Sequence, residues 1–301
     1  MIDICEVGPR DGLQNEARHL SVEEKLELIH KLIACGFPRI EVASFVNPKR
    51  VPQMAGAEEV IAALPADSPC QFVGLVLNAR GMARALETNI DIVHMSLAVS
   101  DSFNLRNANQ SAHDATSALS PLVAEAQAAK KDVLVTLGTA FGCPFEGAVP
   151  FERVLSIAER FIEQGCRTIS LADTTGMANP RQVRDSIVRF QQYFGDEVRL
   201  ALHVHNTRGL GVANVYAAYE MGVRLFDSSV AGLGGCPFAP QAVGNVCSED
   251  IINMFHGMNE ATGVDLEQLI GVARWLETLM GRRLDGMMMK VQDSVSQHTA
   301  A

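Results

Sequence analysis

The sequence predicts an α/β protein, a (β/α)8 TIM barrel with additional C-terminal helices. Three observations carry that expectation. Short apolar stretches alternate with amphipathic helical ones, eight times over about 255 residues. The apolar stretches are near-continuous runs, as strands buried on both faces are. The turn after the first of them, Gly8–Gly12, lacks the G-x-G-x-x-G phosphate loop that an open doubly wound sheet would carry there.

The elements follow in order. Residues 2–7 form the first strand and 8–15 a Gly- and Asn-containing loop. Ser21-Val-Glu-Glu24 is a capping box, and Leu26, Ile29, Leu32 and Ile33 make the apolar stripe of the helix it opens, which Gly36 ends. Strand 39–43 with helix 57–64 and strand 72–77 with helix 80–87 come next. The fourth unit joins strand 90–97 to a long helix over 112–131. Strand 133–138, a Gly/Pro-rich loop 139–150 and helix 151–164, closed by Gly165, make the fifth. Strand 168–171 with helix 180–194, and strand 200–205 with helix 211–221, make two more. The last unit is strand 225–229, a Gly-rich loop 231–244 and a helix from Ser248. An extra helix over 265–283 puts Leu266, Leu269, Ile270, Ala273, Leu276 and Leu279 on one face, to cap the barrel or to pair subunits. Residues 1–283 are thus expected to be one catalytic domain, and 284–301, which has no clear period, a flexible tail.

Composition narrows the class. Hydrophobic residues make up 48% of the 301, ample for a large core. No apolar run reaches the roughly 18 residues that span a membrane. The start, Met-Ile-Asp-Ile-Cys-Glu, has neither the basic region nor the apolar segment of a signal peptide. The 7 cysteines are scattered without a Cys-x-x-Cys pair, which suits a reducing cytoplasm and excludes a disulfide framework. A net charge of −10 without a basic run argues against nucleic acid as a partner.

Chemistry in a barrel sits at the C-terminal ends of the strands. There the chain places Arg10, Asp11, Gln14 and Asn15, then Glu41 and Ser44, Asp101 and Asn104, Thr139 and Cys143, Asp173 and Thr174, Asp227 and Ser228. Ionisable groups inside apolar strands cost several kcal/mol unless paired or bound to a metal. Leu200-Ala-Leu-His-Val-His-Asn206 ends a strand in two histidines two residues apart, so His203 and His205 share one face, as a chelating pair would. The alternative is one core and one surface histidine. Two imidazoles with a carboxylate and an amide oxygen make a borderline-hard site. Tetrahedral zinc is compatible with it, and six-coordinate Mg²⁺ or Mn²⁺ with positions open for substrate oxygens suits it better. Cys236 stands in the loop Gly232-Leu-Gly-Gly-Cys-Pro-Phe-Ala239, where a thiol near a metal is open to pKa perturbation; the alternative is a small buried hydrophobe.

The segments Glu6-Val-Gly-Pro-Arg-Asp-Gly-Leu-Gln-Asn-Glu16, Ile40-Glu-Val-Ala-Ser-Phe45, Val51-Pro-Gln-Met54, Gly142-Cys-Pro-Phe-Glu-Gly147, Ile169-Ser-Leu-Ala-Asp-Thr174 and Asp227-Ser-Ser-Val-Ala-Gly-Leu-Gly-Gly-Cys-Pro-Phe-Ala239 span nearly the whole chain. In combination they resemble the 3-hydroxy-3-methylglutaryl-CoA lyase family, in the metal-dependent (β/α)8 lyase superfamily that also holds isopropylmalate synthases. The resemblance implies that Asp11, His203, His205 and Asn245 ligate a divalent cation, Mg²⁺ or Mn²⁺. It implies that Arg10 stabilises an enolate oxygen and that Cys236 is a mobile-loop thiol taking part in proton transfer. It makes Glu41, Asp173 and Glu249 supporting acids, with Gln14, Ser44, Cys143, Ser170 and Thr174 in the substrate pocket. The implied activity is retro-Claisen cleavage of an acyl-CoA substrate by a cytoplasmic homodimer. Isopropylmalate synthases are expected to carry a long C-terminal regulatory domain that this sequence does not have.

The chain departs from the family pattern at several positions. It has His203-Val-His-Asn-Thr-Arg208-Gly where the lyases carry His-x-His-Asp-Thr-Tyr-Gly, Ala17 where lysine is common, a loosely matching loop over 100–109, and His94 in place of an apolar residue. These departures bear on which acyl group is cleaved. Arg208 is placed to meet a carboxylate or a CoA phosphate, or to be a solvated arginine at a helix start.

Overall fold

The structure is a computed structural model that describes residues 1–235 and 243–291. Eight parallel strands close into a barrel in sequence order: β1 (Asp3–Glu6), β2 (Arg39–Ser44), β3 (Gln71–Val76), β4 (Ile92–Ala98), β5 (Asp132–Gly138), β6 (Thr168–Asp173), β7 (Arg199–Val204) and β8 (Leu225–Ser228). The first strand pairs with both the second and the eighth, which completes the ring. The helices are α1 (Val22–Ala34), α2 (Ala57–Ala62), α3 (Ala79–Leu86), α4 (Asp101–Ala108), α5 (Ala112–Leu119), α6 (Leu122–Ala128), α7 (Phe151–Glu163), α8 (Pro180–Phe194), α9 (Gly211–Glu220), α10 (Ser248–Gly257) and α11 (Leu266–Met280). The expected (β/α)8 barrel is therefore the observed fold. No described helix is long and apolar enough to cross a membrane.

Local chemistry sets the helix starts. The Ser21 hydroxyl accepts from the Glu24 amide at 3.2 Å while the Glu24 carboxylate accepts from the Ser21 amide at 2.9 Å, so the capping box forms as read. Asn78, Asn179 and Asp265 cap α3, α8 and α11 through the same kind of side-chain acceptor.

The structure departs from the sequence expectation in four places. The single helix expected over 112–131 is two, because Pro121 has no amide hydrogen to continue the ladder and stands between α5 and α6. The loop at 100–109 is largely α4, with Asn109 in the left-handed region as its C-terminal stop. Gly8–Gly12 is a π-helical turn rather than an open loop. Finally, the expected tail does not begin at residue 284. Leu284 and Met289 are buried, and the Asp250 carboxylate accepts from the amides of Met287 and Met288, so this segment packs against α10 and α11 up to residue 291.

Alternation along each strand divides the interior in two. One set of side chains, among them Ile4, Ile40, Val93, Val135, Ile169 and Leu202, packs outward against the helices and makes the main core. The other set points into the lumen, where Cys5, Val7, Val73, Ile92 and Leu134 form a small apolar plug. Two residues further along the same strand faces come His94 and Thr136, and β7 and β8 add His203 and Asp227. The lumen thus turns polar towards the C-terminal ends of the strands.

Candidate active site

The β7 pair lies at that polar end. His203 Nε2 and His205 Nε2 are 3.2 Å apart, and Nδ1 of His203 faces Asp227 Oδ2 on β8 at 3.2 Å. The Asp227 contact fixes which nitrogen His203 presents to the site, a typical support for a metal-bound imidazole. Burial and the neighbouring His203 push His205 down to about 4, which favours its neutral form. Burial opposes protonation of His203 as well, yet its bond to Asp227 and the charge of Asp11 raise it above its ordinary value.

From the π-helical turn after β1, Asp11 reaches the same point. Ligand atoms of Asp11, His203 and His205 all lie within 4.8 Å of one another. An octahedral site with bonds of about 2.1 Å has adjacent ligands about 3.0 Å apart and opposite ligands about 4.2 Å apart, so the trio fits a divalent cation of that kind. Asn245 stands beside them. Its Nδ2 donates to Asp11 Oδ2 at 2.7 Å, and its Oδ1 is buried with no partner, an oxygen free to ligate.

Arg10 adds the positive charge. Its Nη1 donates to Asp11 Oδ1 at 2.7 Å, and its Nε donates to Glu41 Oε2 at 2.7 Å, with Nη2 also 2.6 Å from that oxygen. Burial alone would push Asp11 up, but Arg10 and the two histidines hold it well below the usual carboxylate range. Glu41 is buried on β2; its desolvation is outweighed by Arg10 and His94, which keep it ionised. His94 Nδ1 lies 2.6 Å from Glu41 Oε1 and His94 Nε2 lies 2.8 Å from Thr136 Oγ1.

Two further buried carboxyls hold the root of the Gly-rich loop after β8. Glu6 Oε1 accepts from the amides of Gly8 and Val230, and its Oε2 accepts from the Ser248 hydroxyl at 2.5 Å. Burial pushes Glu6 up to about 8, and these donors pull it back only in part. Glu249 Oε2 accepts from the amide of Ala231, a non-glycine residue at φ 59°. A left-handed alanine costs roughly 1–2 kcal/mol, so this contact helps to hold a strained turn. Burial pushes Glu249 up to about 7. Beyond that turn the two limbs of the loop meet at glycines. A Cβ on Gly244 would lie 2.5 Å from the Gly234 carbonyl carbon, and one on Gly234 would lie 2.9 Å from Asn245 Nδ2. The loop stem therefore rests directly on a ligand-type side chain.

The remaining sequence candidates fall as follows. Both oxygens of Asp173 accept backbone amides, from Met177 at 2.7 Å and Ala178 at 3.0 Å, so this acid anchors the loop after β6 and presents no free oxygen. Burial raises it to about 6. Thr174 Oγ1 accepts from the Thr139 amide at 3.1 Å, tying the ends of β5 and β6. Ser44 and Ser170 are buried with hydroxyls that have no protein partner, as expected of groups facing a ligand. Cys143 is buried in a tight turn where its sulfur accepts from the Phe145 amide. Gln14 is half-buried just past the π-helical turn. Arg208 Nη1 donates to the carbonyls of Thr175 and Gly176, both at 2.8 Å, so it braces the loop after β6. Cys236 lies outside the described residues. Sequence reasoning assigned no role to Asp227, Glu6 or Thr136. Asp227 had a signal, an acid in an apolar strand in register with His203.

Fold and site together define a barrel enzyme with a candidate cation centre at the C-terminal ends of its strands. Comparison with known proteins narrows this further. The chain belongs to the HMGL-like family, whose profile matches residues 1–276. It is 42% identical over 299 residues to a (R)-citramalyl-CoA lyase of Chloroflexus aurantiacus, covering 96% of this chain and 94% of that one. It is 39% identical over 290 residues to the hydroxymethylglutaryl-CoA lyase YngG of Bacillus subtilis, covering 96% and 97%. A solved structure described as an HMG-CoA lyase from Acinetobacter baumannii in complex with coenzyme A and 3-methylmalate matches with a TM-score of 0.94 at 40% identity, covering 100% of this chain and 98% of that one.

Proposed function

We propose that this protein is a divalent-metal-dependent carbon–carbon lyase. Its substrate is a 3-hydroxy-3-methylglutaryl-CoA-like thioester, cleaved to acetyl-CoA and a keto acid, acetoacetate for that substrate. The observation that carries the proposal is the meeting of Arg10 with Asp11, His203, His205 and Asn245 at one point of the barrel. The relatives named as lyases, matched nearly end to end, support it.

Mg²⁺ or Mn²⁺ held by Asp11, His203, His205 and Asn245 supplies Lewis acidity that makes a substrate hydroxyl easier to deprotonate. Asp11 and His203, which meet at the same point, are the candidates to take that proton. Either of them is a candidate base: Arg10 holds Asp11 well below the usual carboxylate range, and Asp227 holds His203 above its ordinary value. The alkoxide becomes a ketone as its bond to the thioester α-carbon breaks, and the electron pair passes to the acetyl-CoA enolate. Arg10, clamped by Glu41, presents preorganised positive charge to that enolate. Cys236 returns a proton to the α-carbon. Glu249 and Asp173 act through the loops they hold, and Gln14, Ser44, Cys143, Ser170, Thr174 and Arg208 line or brace the pocket. In this reading the chain works as a cytoplasmic homodimer on a soluble acyl-CoA, without nucleic acid or membrane.

The same chemistry on citramalyl-CoA, releasing acetyl-CoA and pyruvate, is a second reading. It rests on the similarity to the C. aurantiacus relative named for that substrate. The test is a panel of 3-hydroxy-3-methylglutaryl-CoA, citramalyl-CoA and a longer-branched 3-hydroxyacyl-CoA, assayed for acetyl-CoA release with Mg²⁺ and with EDTA. Metal-dependent release from the first supports the main reading, and release from citramalyl-CoA alone replaces it with the second. Release from none of the three, or release indifferent to EDTA, overturns the mechanism.

A further inference from the structure

His94 is a polar residue within an apolar strand, and nothing in the mechanism above uses it. It lies on β4 inside the lumen and is buried. A buried imidazole in an otherwise apolar position costs free energy unless both ring nitrogens are satisfied. Both are: Nδ1 meets Glu41 Oε1 at 2.6 Å, and Nε2 meets Thr136 Oγ1 at 2.8 Å. An ionised Glu41 only accepts, so Nδ1–H donates to its Oε1 while Arg10 donates to its other oxygen, and Nε2 pairs with the Thr136 hydroxyl.

We propose that His94 is a positioning residue for the lyase reaction, locking the rotation of the Glu41 carboxylate so that Arg10 is held in a fixed orientation beside the cation ligands. This rests on the lyase reading of the site. The argument is geometric. Glu41 has two oxygens and two neighbours, and Arg10 grips only Oε2, through Nε and Nη2. That grip leaves Nη1 for Asp11 at 2.7 Å. Were Oε1 without its donor, the buried carboxylate would turn to give Arg10 both oxygens in the bidentate arrangement that guanidinium favours. The guanidinium would then swing away from Asp11 and from the enolate position. His94 supplies the donor that prevents this turn, and Thr136, on the neighbouring strand β5, holds the ring in place.

Three variants separate positioning from bulk. An asparagine amide nitrogen falls near the place of Nδ1, and a glutamine amide nitrogen near that of Nε2. H94N therefore keeps the donor to Glu41, H94Q keeps only the Thr136 side, and H94L keeps neither. Two readouts are taken: kcat and KM for acetyl-CoA release from whichever thioester the native enzyme cleaves, and the NMR signal of the Arg10 Nε–H in metal-free protein with labelled arginine. H94L and H94Q are expected to lose kcat by roughly 10- to 100-fold with KM within about twofold, the effect of removing one hydrogen bond to a charged group. Their Arg10 signal moves. H94N recovers most of kcat and a native Arg10 signal. Native kcat in H94L, or H94N as impaired as H94L, overturns the proposal. Should H94L not fold, H94N against H94Q decides. Should the native protein cleave no thioester, the lyase reading fails by itself, and an unmoved Arg10 signal in H94Q refutes the positioning claim separately.

Discussion

Replacing Glu6 with glutamine should remove a specific pH dependence of stability. Glu6 is fully buried and its carboxyl is raised from 4.5 to about 8. The folded state therefore holds this proton more tightly than the unfolded chain does. The associated stability is fully present below the unfolded value of 4.5 and is lost as pH rises through the folded value of about 8. At about 1.4 kcal/mol per unit the full loss is on the order of 5 kcal/mol. Roughly 2 °C per kcal/mol for a chain of this length gives a fall in melting temperature of about 10 °C. Glutamine suits the site. Its oxygen can keep the amides of Gly8 and Val230, and its nitrogen can donate to Ser248, whose hydroxyl turns to Ser228 Oγ at 2.8 Å. Glu249, Asp173 and His203 also contribute stability that fades with rising pH, and His205 has the opposite sense, but all four are present in both proteins. The assay is thermal melting of native protein and E6Q from pH 5 to 9. The difference, native minus variant, should fall between pH 5 and 8 and then level off. Parallel profiles would refute the reasoning, since Glu6 would then titrate alike in the folded and unfolded states.

Other perturbations test the site. Asp227→Asn takes the carboxylate from His203 Nδ1, and Mn²⁺ affinity measured by calorimetry should weaken roughly 10- to 100-fold; affinity within twofold of native would mean that Asp227 does not orient the ligand. Gly244→Ala forces a methyl to 2.5 Å from the Gly234 backbone, and the splayed stem should cost about 1–3 kcal/mol in urea denaturation together with most of kcat; a native-like variant would show that the limbs do not need to meet. Asp173→Asn leaves one of the two amide donors from Met177 and Ala178 without an acceptor, for a loss of about 1–3 kcal/mol. Because that role is structural, kcat should stay within a few-fold, and a large loss of kcat at unchanged stability would return Asp173 to the chemistry.

What the sequence made legible, and what it hid, follows from the range of each signal. His203 and His205 were readable because strand alternation is a two-residue rule, and it alone puts both rings on one face. The barrel was readable because eight repeats of one local pattern leave few ways to close. The break at Pro121 is a local signal too, a residue that cannot donate set within an apolar period that by itself favours one long helix. The supporting contacts are different in kind. Glu6 and Glu249 are held largely by backbone amides, which every residue but proline owns, so no residue type announces them. The Glu41–His94–Thr136 chain joins β2, β4 and β5 across a lumen that exists only once the ring is shut. A sequence reading could see His94 as an intrusion into an apolar strand but not whom it faces. Its burial is tolerable only because Glu41 and Thr136 arrive at both nitrogens. The cost of placing an imidazole there is thus offset by two contacts that only the closed ring supplies.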